Sequence, residues 1–146
     1  MKTLLRIIIL ALLVVSFLFP ALYYAQLPEE IPIHFNAIGE ADGFGKKSTI
    51  WLLPILNVVN VLIIFAISSG AKYMPKQKKQ PPYFAEIVGI YVLILTTYIG
   101  IANVLIAVGE LKTLGTWFLP FVIILSMLLV GYLFIQQRKM KLQNKK

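Results

Sequence analysis

The chain has 146 residues, of which 59% are hydrophobic and 14% charged, with no cysteine and a net charge of +8. A soluble domain carries about 25% charged residues, so this composition argues against a soluble enzyme, a disordered tail, a disulfide-stapled domain and a thiolate zinc site. The 14 Lys and Arg cluster at the ends of apolar blocks, without the basic stripe and interleaved aromatics of a nucleic-acid binder, and no nucleic-acid partner is expected.

The first apolar block runs from Ile7 to Ala25 behind Lys2 and Arg6. At ~1.5 Å per residue it is long enough to cross a hydrocarbon core of about 30 Å, and longer than the h-region of a signal peptide. Tyr23 and Tyr24 stand where a signal peptidase requires small side chains, so an uncleaved anchor is expected. The other blocks, Ile50 to Ala71, Ile87 to Gly109 and Thr113 to Ile135, contain no charged residue. The expected fold is an all-α membrane protein forming a single domain of four transmembrane helices. Its connections are a loop at 26–49, a basic loop at 72–86, a short turn at 110–112 and a basic tail at 136–146.

Eleven Lys and Arg fall on the side of the N-terminus, the 72–86 loop and the tail, against Lys46, Lys47 and Lys112 on the other. The positive-inside rule then places both termini in the cytoplasm and the 26–49 loop outside. Tyr23, Tyr24, Trp51 and Trp117 fall at the expected outer interface, where amphipathic rings are favoured. Membrane lipids are the first expected partners of the basic segments, and a cytosolic protein is a second.

In the second span Pro54, Asn57 and Asn60 recur every three residues, and in the third Thr96, Gly100, Asn103 and Ala107 form a small, polar seam. The two seams are expected to face each other, with Asn57, Asn60 and Asn103 acting as interhelical glue or lining a path. Pro20, Pro54 and Pro120 lie toward the outer ends of their spans. Pro54 and Pro120 suit helix starts, whereas Pro20 should kink or shorten its helix, and together they predict a shallow pocket beneath the outer loop.

The segment from Leu27 to Lys47 differs from its surroundings. Ile31, Ile33 and Phe35 alternate with Pro32, His34 and Asn36, predicting an extended edge segment with one apolar face. Asp42-Gly43 is a hairpin-type turn dipeptide, and Gly39 and Gly45 add permissive positions around it. The polar groups there are Glu29, Glu30, His34, Asn36, Glu40, Asp42 and Lys46. One imidazole among them makes neither a closed zinc site nor a calcium loop, so no metal or other cofactor is expected. No nucleophile motif is present and Asp42 is the only aspartate, so no catalytic residue is assigned and no enzymatic activity is expected.

The string Leu27-Pro28, Ile31-Pro32, His34-Phe35-Asn36, Gly39, Asp42-Gly43 and Gly45-Lys46, followed by Leu53-Pro54, resembles a bacterial membrane domain of unknown function. That domain is similar to the N-terminal part of SdpI-type immunity proteins, which have six spans against the four here. The resemblance implies protection against a secreted membrane-active toxin, and signalling in which a cytosolic repressor is held at the membrane. Carried over by position, His34, Phe35, Asn36, Gly39, Asp42, Gly43, Gly45 and Lys46 would organise the loop or recognise a toxin, peptide or lipid-like ligand. The alternative expectation is a small transport or permease-accessory subunit that docks a membrane partner through its polar seam.

Overall fold

Long runs of Leu, Ile and Val without charge satisfy every backbone group internally as helix. The computed structural model, which describes residues 1–70 and 83–143, contains four such helices: α1 (Lys2–Tyr23), α2 (Leu52–Gly70), α3 (Phe84–Ala107) and α4 (Phe118–Gln143). All four are long and apolar enough to cross a membrane. Between α1 and α2 the chain forms a short 3-10 turn (Tyr24–Gln26), an antiparallel hairpin of β1 (Glu30–Phe35) and β2 (Ala41–Lys46), and a second 3-10 turn (Lys47–Trp51).

The spans differ from expectation at their ends. Helix α1 continues through Pro20 for three residues and then tightens, so that proline sits inside the helix. Helix α4 starts at Phe118 rather than Thr113, because Gly109 and Gly115 adopt positive φ and turn the chain between α3 and α4. It also runs on to Gln143, so much of the expected tail is helical. The basic stretch from Lys72 to Pro82 lies outside the described residues.

Two apolar clusters hold α1, α2 and α3 together. Ile9, Val61, Ile64, Ala85 and Leu93 pack at one end, and Leu27, Ile31, Ile50 and Val104 pack at the other, beneath the hairpin. The second cluster also corrects the expected pocket beneath the loop: Ile31 is 0% exposed and its neighbours fill that space.

Helix α4 stands apart from this three-helix core. No residue of its span is buried, and its ties run mainly to α3. Tyr91 Oη contacts Ser126 Oγ at 2.5 Å, Tyr98 Oη donates to the Leu114 carbonyl at 2.9 Å, and the rings of Tyr98 and Phe118 stack at 5.2 Å.

The hairpin cap as candidate functional site

The hairpin is built by its turn, and the turn is not where the dipeptide rule puts it. Asn36 Oδ1 accepts from the backbone N–H groups of Ile38 (3.1 Å) and Glu40 (2.9 Å), and Asn36 Nδ2 donates to Glu40 Oε2 at 3.2 Å. The backbone closes the same loop, with Asn36 N–H donating to the Glu40 carbonyl and Gly39 N–H to that of Asn36. The reversal is therefore an Asx-type turn over Asn36 to Glu40, with Gly39 at φ +83° supplying the left-handed residue. Asp42-Gly43 lies within β2 instead, where Gly43 pairs with His34.

The expected alternation along β1 also fails, for a definable reason. Partners run Pro32 to Phe44 and then His34 to Gly43, which leaves Ile33 as an extra residue in a bulge. One extra residue shifts the facing of everything after it. Ile31 and Pro32 are both buried, whereas Ile33 and His34 are both exposed. Ile31 is thus a core residue and offers no surface to a ligand.

Downstream of the bulge, His34 Nδ1 donates to Asp42 Oδ1 at 2.5 Å across the two strands. The carboxylate has no proton to give, so the ring proton sits on Nδ1 and Nε2 points away from the pair. Gly43 makes room for this, since a Cβ there would stand 3.0 Å from His34 Cβ. Gly45 lies against the side chain of Ile33, and the exposed Lys46 accepts through its carbonyl from Thr49 Oγ1 at 2.7 Å. Lys47, beside it, pairs with Glu29 at 2.7 Å and lies over the Tyr24 ring, closing the base of the hairpin.

The hairpin is fixed to the helices at two places. Asn103 Nδ2 on α3 donates to the Pro32 carbonyl at 2.8 Å, and Leu114 N–H donates to the Gly39 carbonyl at 2.8 Å. The polar seam is therefore divided. Asn57 Oδ1 meets Thr96 Oγ1 at 2.7 Å and Asn60 Nδ2 donates to the Gly89 carbonyl at 3.1 Å, as glue between α2 and α3. Asn103, expected to face those two residues, reaches the hairpin instead, because at the upper end of α3 the neighbour is β1. Among the described residues Asn57 Nδ2, Thr97 Oγ1 and Asn103 Oδ1 are buried without a partner.

By its position after Lys72 to Lys79, Glu86 reads as part of the basic loop. It lies in the first turn of α3, 3% exposed, accepting from Ser68 Oγ at 2.6 Å with Lys2 Nζ at 3.9 Å. A carboxylate in a helix's first turn is favoured by the backbone dipole, and a short polar residue on the facing helix was the available signal. Among the described residues no group of three or more His, Cys, Asp or Glu is placed to hold a metal ion.

Beside the hairpin tip lies a cleft of about 330 Å3, open on one side. His34, Phe35, Asn36 and Gly39 form its hairpin wall, and Phe118 and Leu119 of α4 face them. Of the residues singled out from sequence, the structure brings these four together at one cleft, with Asp42 and Gly43 behind His34. Lys46, Asn57 and Asn60 do not line it.

Gly39 is the joint on which the cleft depends. A Cβ there would stand 3.0 Å from the Gly115 carbonyl oxygen, and left-handed backbone costs a non-glycine residue about 1–2 kcal/mol. Gly39→Val is expected to release the hairpin tip and raise its rate of proteolysis several-fold in the detergent-solubilised protein, with the helices intact by circular dichroism. An unchanged digestion pattern would show that the tip is not held at Gly39.

Residues 11–58 match a family model described as a domain of unknown function (DUF1648). This stretch is roughly a third of the chain and runs from within α1 through the hairpin into α2. The hairpin is thus the centre of the matched domain. A protein of Archaeoglobus fulgidus (strain ATCC 49558), described as uncharacterized, is 40% identical over 67 residues, covering 46% of this chain. The chain spans just over a third of that relative's length, 36%. No solved structure matches.

Proposed function

We propose that this multi-pass membrane protein is a non-enzymatic recognition protein of a bacterial plasma membrane, with both termini in the cytoplasm and the hairpin outside. It binds an amphipathic toxin, peptide or lipid-like ligand at the hairpin cleft, as the resemblance to SdpI-type immunity proteins suggests. The observation that carries this reading is the cleft itself. It joins polar groups held in fixed orientation, His34 by Asp42 and Asn36 by its own turn, to the apolar surfaces of Phe35, Phe118 and Leu119. A rigid polar edge beside an apolar wall suits a ligand with one face of each kind. A cytosolic repressor held by the basic segments belongs to the same reading through the resemblance.

The test is survival of a sensitive bacterium expressing the protein and challenged with secreted membrane-active toxins. Protection is expected against at least one, and its loss in a His34→Ala, Asp42→Ala variant matched for membrane level. Full protection by that variant would remove the hairpin from the account.

The alternative, a transport or permease-accessory subunit, is favoured by one observation: α4 leaves its whole length unburied, as a helix that packs on a membrane partner would. Recovery in a stable complex with a larger membrane protein, with no protection against any toxin, would decide for it.

A further inference from the structure

The cleft beside His34 has a neighbour beyond the hairpin. Leu114 and Phe118 line it and also line a larger groove of about 510 Å3 between α3 and the start of α4, whose walls include Tyr98, Trp117 and Phe121. Trp117 is 80% exposed. An apolar surface therefore runs from the hairpin tip along the first turn of α4.

Charge is distributed unevenly around it. Five of the six acidic residues, Glu29, Glu30, Glu40, Asp42 and Glu110, belong to the hairpin end, against Lys46, Lys47 and Lys112. That end carries an excess of two negative charges in a chain whose net charge is +8. Two of the acids stand one residue behind the cleft wall: Glu40 is bonded to Asn36 and Asp42 to His34, and both of those partners line it. Among the described residues no Lys or Arg forms an ion pair with Glu30, Glu40, Asp42 or Glu110.

We infer that the occupant of this cleft is a cationic amphipathic peptide, with its apolar face along Phe118 and Trp117 and its cationic side chains at Glu40 and Asp42. The inference rests on the recognition reading above and names the class of ligand. An acidic rim beside an apolar groove favours a partner of opposite charge and disfavours the anionic head groups of lipids. Complementary charge of this kind acts mainly on selection and on the rate of encounter, while the apolar contact supplies affinity.

The experiment uses the full chain in nanodiscs of zwitterionic phosphatidylcholine, with empty discs as reference. The probes are two labelled helical peptides of about 18 residues, five turns of an amphipathic helix, one of Leu and Lys and one of Leu and Glu in the same pattern. The Leu/Lys peptide is expected to bind the protein discs roughly tenfold more tightly than the Leu/Glu peptide at low ionic strength, with the preference shrinking as salt screens it. Glu40→Gln with Asp42→Asn keeps the acceptors for Asn36 and His34, and should bring the two peptides within about twofold of each other. Equal binding of both peptides to the unaltered protein would overturn the inference and leave the cleft as a ligand site. A preference that survives the double substitution would overturn it too, by placing the selecting charges elsewhere. Binding of neither peptide above empty discs would overturn it, and the recognition reading would then stand or fall on the survival assay alone.

Discussion

Gly89→Val is expected to separate α2 from α3 and to lower the thermal unfolding midpoint. A Cβ at this position would run into Ile64 Cδ1 and Cγ1, and Ile64 is only 4% exposed. The isoleucine sits in the notch that the missing side chain provides, so the helices must move apart or the isoleucine must leave its rotamer. Overpacking of this kind costs about 1–3 kcal/mol. The same displacement stretches the bond from Asn60 Nδ2 to the Gly89 carbonyl, worth about 0.6 kcal/mol on average between membrane helices. The pair Gly89→Val, Ile64→Ala should recover part of the loss, because the second change empties the contested space. Unfolding of Gly89→Val at the unaltered midpoint in detergent would show that these helices do not meet there.

Asn103 is expected to govern how firmly the hairpin is held. Its Nδ2 serves the buried Pro32 carbonyl, while its own Oδ1 has no partner among the described residues. Asn103→Leu leaves that carbonyl without this donor, at about 1–3 kcal/mol, offset in part by removing the unpartnered oxygen. Asn103→Asp should do more damage, since it removes the donor, keeps an acceptor and adds charge in a buried place. The readout is amide hydrogen exchange. Protection over Glu30 to Lys46 should fall several-fold in Asn103→Leu and further in Asn103→Asp, while the middle of α2 keeps its protection. Unchanged exchange in the hairpin of both variants would assign its anchoring elsewhere.

The four helices were legible because uninterrupted apolar runs of spanning length have few other solutions in a bilayer. For the 26–49 segment, sequence predicts one short extended stretch and a turn from its Gly, Pro, Asn and Asp content, whereas the structure pairs two strands there. Register was not legible. The dipeptide Asp42-Gly43 is a good local signal, but Asn36 can close a turn with three hydrogen bonds to Glu40 and Ile38 and can place Gly39 at the left-handed position. This arrangement pairs His34 with Gly43 and brings the Asp42 carboxylate within reach of the His34 ring. The bulge at Ile33 then follows from the docking of Ile31 and Pro32 on the helices, a tertiary demand that no alternation pattern contains.

The site residues divide along the same line. His34, Asn36 and Asp42 could be named from the chemistry of their side chains, and the structure places them at one cleft with Phe35 and Gly39. The facing wall, Leu114, Phe118 and Leu119, looked like ordinary span sequence and became relevant only because Gly109 and Gly115 turn the chain toward the hairpin. Glu86 and Gly89 escaped for a similar reason. A charge near a span end reads as loop, and one glycine in an apolar helix reads as incidental, until a facing Ser68 or Ile64 gives each a role.

The hairpin can recognise an external ligand only if it faces outward, and the absence of native cysteine makes this directly measurable. Single cysteines replacing Glu40 at the hairpin tip and Lys139 near the end of α4 would be exposed, in intact cells, to a membrane-impermeant maleimide. The account predicts labelling of Glu40→Cys without permeabilisation and of Lys139→Cys only after it. The reverse pattern would place the hairpin and its cleft in the cytoplasm and contradict external recognition outright.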